Sequence, residues 1–237
     1  MVSPFLLAYL RKGESLMGTL KILSRDSQPF YDRIEAGRRL AQELKSLQDK
    51  KVVVLGIPRG GIVPARELAR ELNGELDVIL SHKLRTPGYP EVAMGAVAEG
   101  GVTFIDPETV HLLGIGVSQI EEEKERQLAE LNRRAAEIRK IRPKVPLDGR
   151  WVIITDDGIA TGATALTAIR AVRFADPYRV ILALPVGPED PVKTLADEAD
   201  ETVCLKLPRT FMAVGQFYEN FDQVSDGEML RILKGGE

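Results

Sequence analysis

Along the chain the apolar positions switch repeatedly between helical spacing and short continuous runs. FYDRIEAGRRLAQELKSL sets Leu40, Leu44 and Leu47 on one helical face with charges opposite, and Asp32 stands where an N-cap would. KVVVLGI is a short uninterrupted apolar run, as expected of a parallel strand covered on both faces. After the turn PRGG, IVPARELAREL returns to helical spacing and stops at Asn73-Gly74. ELDVILSHKL reads as the next strand. RTPGYPEVAMGAVAEGG, with two prolines and several glycines, is expected to form a long loop and then a short hairpin-like strand pair through VTFI.

A long charged helix is expected over residues 117–140. Leu128, Leu131, Ala135 and Ile138 give it a narrow apolar stripe, and Glu122/Arg126 and Glu130/Arg134 are favourable pairs four apart. Such a helix ordinarily presents a solvated face. Beyond it come the strand WVIIT, a helix through ALTAIRAVRFA, the strand YRVILALPV, a helix over PEDPVKTLADEA and the strand ETVCLKL. Repeated strand–helix alternation implies right-handed crossovers, and so an α/β fold with a mostly parallel sheet and helices on both faces. Residues 1–28 lack a clear period and read as an N-terminal extension, with residues 29–237 as a single domain. Met17 stands where an alternative start could lie.

Composition narrows the classes. At 237 residues, 44% hydrophobic and 28% charged, the chain matches an ordinary globular domain. A net charge of −3 gives no global pull toward nucleic acid or an anionic membrane surface. One cysteine, Cys204, excludes an internal disulfide framework and any multi-cysteine metal site, and its place in TVCLKL suggests a buried strand thiol. The apolar run VSPFLLAYL is too short to span a bilayer and lacks the features of a signal peptide, so a cytoplasmic protein is expected.

Three unusual loops, PRGG, the Pro/Gly segment and DDGIATGAT, each follow an expected strand. In parallel sheets ligands sit at the carboxyl ends of strands, so the three can converge there. In WVIITDDGIATGAT, Thr161, Gly162, Ala163 and Thr164 lie where a strand hands over to a helix. Backbone N–H groups there lack internal partners and favour an anion. The turn has the design of a phosphate cradle, without the Lys-Ser/Thr pair of a P-loop. Asp156 and Asp157 stand side by side before it, a placement suited to sugar hydroxyls or to Mg²⁺ held through water. Helix capping accounts for one acid and leaves the other beside a like charge. An Asp-nucleophile phosphatase would need an acid two positions on, where Gly158 and Ile159 stand. A dinucleotide-binding reading lacks G-x-G-x-x-G after the first strand.

VIITDDGIATGAT resembles the PRPP-binding signature of the type I phosphoribosyltransferases, PRPP being phosphoribosyl pyrophosphate. DRIEAGRRLA, VVVLGIPRGGIVPARELA, PEVAMGAVAEGG and FMAVGQFYENFDQVSDGEM are similar, more narrowly, to uncharacterised bacterial and archaeal proteins of that kind, over most of residues 30–232. The resemblance implies the type I fold with a C-terminal hood. It implies that Asp156 and Asp157 take the ribose hydroxyls with Mg²⁺ nearby, and that Ala160, Thr161, Gly162, Ala163 and Thr164 wrap the 5′-phosphate. Pro58, Arg59, Gly60 and Gly61 match the pyrophosphate loop, with a non-proline cis peptide at Pro58–Arg59. The segment around 83–99 corresponds to a mobile catalytic loop whose Lys83 and Arg85 pair with pyrophosphate.

An Asp that handles a purine proton in 6-oxopurine enzymes is replaced here by Ala160, which resembles the adenine and orotate branches. Glu91 or Glu99 is the available acid/base. His82 reads as a structural histidine, and His111 lies on a surface helix with no role. In the hood, Phe211, Phe217, Tyr218 and Phe221 concentrate the aromatics. Phe217 and Tyr218 are candidates to stack on a base, with a small satellite core as the other reading. The expected activity is Mg²⁺-dependent phosphoribosyl transfer to a nucleobase-like acceptor, in a homodimer with neither nucleic-acid nor membrane partner. A PRPP-sensing protein on the same fold is the alternative.

Overall fold

The computed structural model describes residues 18–235. VSPFLLAYL and Met17 therefore lie outside the described residues. Six strands form an all-parallel sheet in the order β1-β9-β8-β7-β2-β3, with β1 Thr19–Ser24, β2 Val53–Gly56, β3 Glu75–Val78, β7 Trp151–Thr155, β8 Arg179–Val186 and β9 Glu201–Lys206. The connecting helices are α1 Arg33–Glu43, α2 Ile62–Glu71, α3 Pro107–Leu112, α4 Val117–Arg139, α5 Ala163–Arg173 and α6 Glu189–Ala196, and α7 Asp226–Leu233 closes the described chain.

Alternate strand residues feed two cores. Val52, Val54 and Ile153 point to the α1/α2 face with Leu40, Leu44 and Leu68, while Val53, Leu55, Val152 and Ile154 meet Ala168, Ile169, Val192 and Leu195 from α5 and α6. This two-sided burial is why the strands read as continuous apolar runs. The winding also reverses between β2 and β7. From β2 the chain crosses through α2 to β3 on one side, and from β7 it crosses through α5 to β8 on the other. Such a reversal opens a crevice at the carboxyl ends of the two strands.

Three expectations change. The domain takes in residues 19–24, because β1 pairs in parallel with β9 from Thr19↔Glu201 to Ser24↔Lys206. The weak pattern of TLKILS, an edge strand with no fully buried position, places the expected boundary at 29 too late. The segment after residue 80 is a three-stranded antiparallel sheet and not a long loop: β4 Ser81–Thr86, β5 Tyr89–Ala98 and β6 Thr103–Ile105. Pro87-Gly88, with Gly88 at φ +76°, closes the first hairpin in two residues. The third concerns α4. Leu131, Ala135 and Ile138 are buried against α7, but Arg126 pairs with Glu123 and Arg134 with Asp226, not with Glu122 and Glu130.

Among the described residues no helix is long and apolar enough to cross a membrane. Cys204 is fully buried in β9, and burial pushes its thiol up to about 12. The native protein is accordingly expected to ignore a water-soluble disulfide reagent at mildly alkaline pH, while the unfolded chain titrates as one thiol. Full reaction of the native protein on mixing would show that β9 is accessible.

Candidate active site

β2 and β7 are neighbours in register, Gly56 opposite Thr155, so the turns that leave them meet. The PRGG turn folds over the acid pair. A Cβ on Gly60 would stand 1.9 Å from Asp157 Oδ2, and one on Gly61 would stand 2.8 Å from Asp156 Cα and 2.6 Å from the Ile57 carbonyl oxygen. Both positions therefore require glycine for close approach. The Pro58–Arg59 peptide is cis, and the Arg59 side chain is exposed.

Asp156 and Asp157 differ in environment. Asp156 Oδ1 accepts the Asp157 backbone N–H at 2.9 Å. Burial first, and then the Asp157 charge, raise the Asp156 carboxyl well above the ordinary carboxylate value. Asp157 Oδ2 accepts from Arg33 Nε at 2.7 Å, in a pair whose side chains are only 11% and 15% exposed. Arg33 also donates from Nη1 to the Asp222 carbonyl at 2.8 Å and lies 3.8 Å from the Phe221 ring centroid. It holds the acid pair to the C-terminal segment.

Arg33 is a site residue beyond those expected from the sequence. Its signal was its place: with Ala36, Gly37, Leu40 and Ala41 it continues the buried stripe of α1, where a charge is unexpected.

Ala160, Thr161, Ala163 and Thr164 are exposed, and Gly162, at φ +75°, leads into α5. Within the turn the Ala163 N–H donates to Thr161 Oγ1 at 3.4 Å. Lys83 and Arg85 lie on β4 and not on a loop, and both line a cavity of about 390 Å³ that also reaches Pro58 and Thr164. Glu91 is on β5, and its side chain is outside the described residues. Glu99 is unsuited to acid/base work: both its oxygens accept from Arg139 at 2.7 Å, and that guanidinium also binds buried Asp77 at 2.6 Å. His82 Nδ1 lies 3.0 Å from Gln127 Oε1 on the wall of that cavity, and His111 lies on α3, which buries no residue.

The hood aromatics are corrected. Phe217 is completely buried and Tyr218 nearly so, both in the α1/α2 core with Phe30. Neither offers an open face to a base. Tyr218 Oη instead donates to the Asp157 carbonyl at 2.5 Å, and burial raises its hydroxyl well above the ordinary value, keeping it a donor. Phe221 is only partly buried, and with Arg33, Arg59, Gly60, Asp157 and Gln223 it lines another cavity of about 320 Å³.

The model of the phosphoribosyl transferase domain matches residues 30–222. The chain belongs to the phosphoribosyltransferase family. Two Mycobacterium tuberculosis proteins, MT0597 and Rv0571c, whose names place them provisionally in the same family, are 47% identical over 204 residues, or 86% of this chain. The chain spans about half of their length, 46%. The solved structure of TT1426 from Thermus thermophilus is 43% identical with a TM-score of 0.83, covering 88% of this chain and 99% of its own.

Proposed function

We propose that this phosphoribosyltransferase-family protein transfers the phosphoribosyl group of PRPP to a nucleobase-like acceptor and releases pyrophosphate. The contact that supports this most is that of the PRGG turn on the acid pair, which sets a carboxylate pair, a basic turn and an open helix N-terminus around one crevice.

In this reading Asp156 and Asp157 bind the ribose hydroxyls, and Ala160 to Thr164 wrap the 5′-phosphate with backbone N–H groups. The bond from C1′ to the pyrophosphate oxygen breaks, a bond from C1′ to an acceptor nitrogen forms, and the proton of that nitrogen passes to the released pyrophosphate or to water. Positive charge gathers on the sugar and negative charge on the leaving group. Arg59, Lys83 and Arg85 stabilise the latter. Arg33 offsets the charge of Asp157, so the two adjacent carboxylates need not repel without compensation.

The donor set fits magnesium. Among the described residues no cluster of three metal-ligating side chains exists, and Mg²⁺ is commonly held by one or two carboxylates plus substrate oxygens. Asp156 and Asp157 would hold it with the substrate, and when bound it would supply charge neutralisation on the leaving pyrophosphate.

With Phe217 and Tyr218 buried, the cavity edged by Phe221, Gln223 and Val224, beside Arg59 of the pyrophosphate turn, is the space offered to the acceptor. Ala160 leaves no acid for the purine proton that 6-oxopurine enzymes handle, which favours adenine or orotate. The test is pyrophosphate release from PRPP and Mg²⁺ with adenine, hypoxanthine, guanine, xanthine, uracil and orotate in turn. Release with one base names the acceptor. A protein that binds PRPP yet releases nothing with any of the six has an acceptor beyond the common bases or is the PRPP sensor of the alternative reading.

A further inference from the structure

Helix α4 carries two buried polar residues where its apolar stripe would continue. Counting back in fours from Ala135 and Leu131 gives Gln127 and Glu123, both buried. A buried carboxylate is costly unless donors surround it. Glu123 Oε1 accepts the Arg85 backbone N–H at 3.1 Å and the Gln127 amide at 2.9 Å, while Oε2 accepts from Arg126 Nε at 2.8 Å. Burial alone would raise this carboxyl, but the bonds from Arg85, Arg126 and Gln127 outweigh it and hold the value below the ordinary one. Glu123 is therefore an anion with its donors in place.

The Arg85 N–H can reach Glu123 because the β4–β5 ladder shifts register on both sides of Arg85. Such irregularities take a donor out of the ladder and re-aim the side chain. Strand β4 is thus tied to α4 at the residue that carries one of the site's cations.

The cavity of about 390 Å³ gives this tie a purpose. Its wall runs from Pro58 of the PRGG turn to Thr164 at the start of α5, and it brings Lys83, Arg85, Arg126 and Arg134 to one space. Glu130 is the carboxylate on that wall, Arg126 shares Glu123, and Arg134 reaches Asp226 at 3.8 Å. A concave wall lined by four Lys or Arg side chains and one carboxylate, and reaching the phosphate-binding turns at Pro58 and Thr164, suits a polyanion.

We propose that α4 forms a wall of the leaving-group site, with Arg126 and Arg134 contacting pyrophosphate opposite Lys83 and Arg85. This rests on the transferase reading above, and it gives the charged helix a role that a solvated face does not have.

The probe is inorganic pyrophosphate with MgCl₂, titrated calorimetrically into the full chain. Three proteins are compared: wild type, the double variant Arg126→Gln/Arg134→Gln, and Arg133→Gln on the same helix. Arg126 also donates to buried Glu123, whereas Arg134 does not, so Arg134→Gln alone serves if the double variant melts early. The double variant is expected to bind pyrophosphate at least roughly tenfold more weakly, and Arg133→Gln to match wild type. Wild-type affinity in a folded double variant overturns the role of α4 and leaves the transferase reading standing. Failure of the wild type itself to bind overturns both.

Discussion

Replacing Asp156 by Asn is expected to abolish tight PRPP binding while leaving the protein as stable as before, or more so. The two effects separate because Asp156 is a residue whose charge the fold does not favour. Its carboxyl lies well above the ordinary value through burial and the neighbouring Asp157 charge. A carboxyl raised in the folded state costs stability as pH climbs through and beyond the ordinary carboxylate range, because the unfolded chain ionises first. Asparagine removes that cost and keeps an oxygen for the Asp157 N–H. Loss of the Asp156 carboxylate from the ribose and Mg²⁺ site is expected to weaken PRPP binding by on the order of 100-fold or more.

Asp157→Asn is expected to behave differently. Arg33, buried at the hood junction, then lacks its anionic partner, and stability falls by about 1–3 kcal/mol along with binding. Thermal melts and calorimetry on both variants check the contrast. Undiminished PRPP affinity in Asp156→Asn would remove the acid pair from the site.

Gly60→Ala is the second large effect. The new methyl would meet Asp157 Oδ2 at 1.9 Å and Cγ at 2.6 Å, so the carboxylate must swing away from Arg33 or the turn must lift. Either movement separates the pyrophosphate turn from the acids, and transfer is expected to fall by roughly 100-fold or more, as for a misplacement of about 1 Å. At Gly61 the obstruction is backbone, at Ile57 and Asp156, so Gly61→Ala is expected to cost about 1–3 kcal/mol of stability as well. Steady-state kinetics and denaturant melts distinguish the two. Wild-type turnover in Gly60→Ala would show that the turn and the acids work independently.

The parts legible in the sequence are those with a local cause. Continuous apolar runs mark strands covered on both faces, helical spacing marks α1, α2 and α4, and DDGIATGAT and PRGG carry their own turn chemistry. What escaped depends on distant partners. TLKILS becomes β1 only by pairing with β9, since it has no fully buried position of its own. Pro87-Gly88 signals a break, and only the pairing of Ala93–Ala98 with β4 turns that break into a hairpin. Phe217 and Tyr218 stand in an aromatic cluster that reads equally as a stacking platform or a core, and their burial with Phe30 decides it. Arg33 and Glu123 share a recoverable signal, a charged residue on an otherwise buried helical stripe. Both mark places where the fold uses a buried charge to hold site residues, Asp157 in one case and the Arg85 backbone in the other.

The central claim is that the crevice between β2 and β7 holds PRPP with magnesium. Titration of PRPP into the full chain by calorimetry, with and without MgCl₂, tests it most directly. Saturable binding at one site per chain, dependent on Mg²⁺ and lost in Asp156→Asn, is the expected result. Absence of saturable binding in the presence of Mg²⁺, from a protein that melts cooperatively, would contradict it.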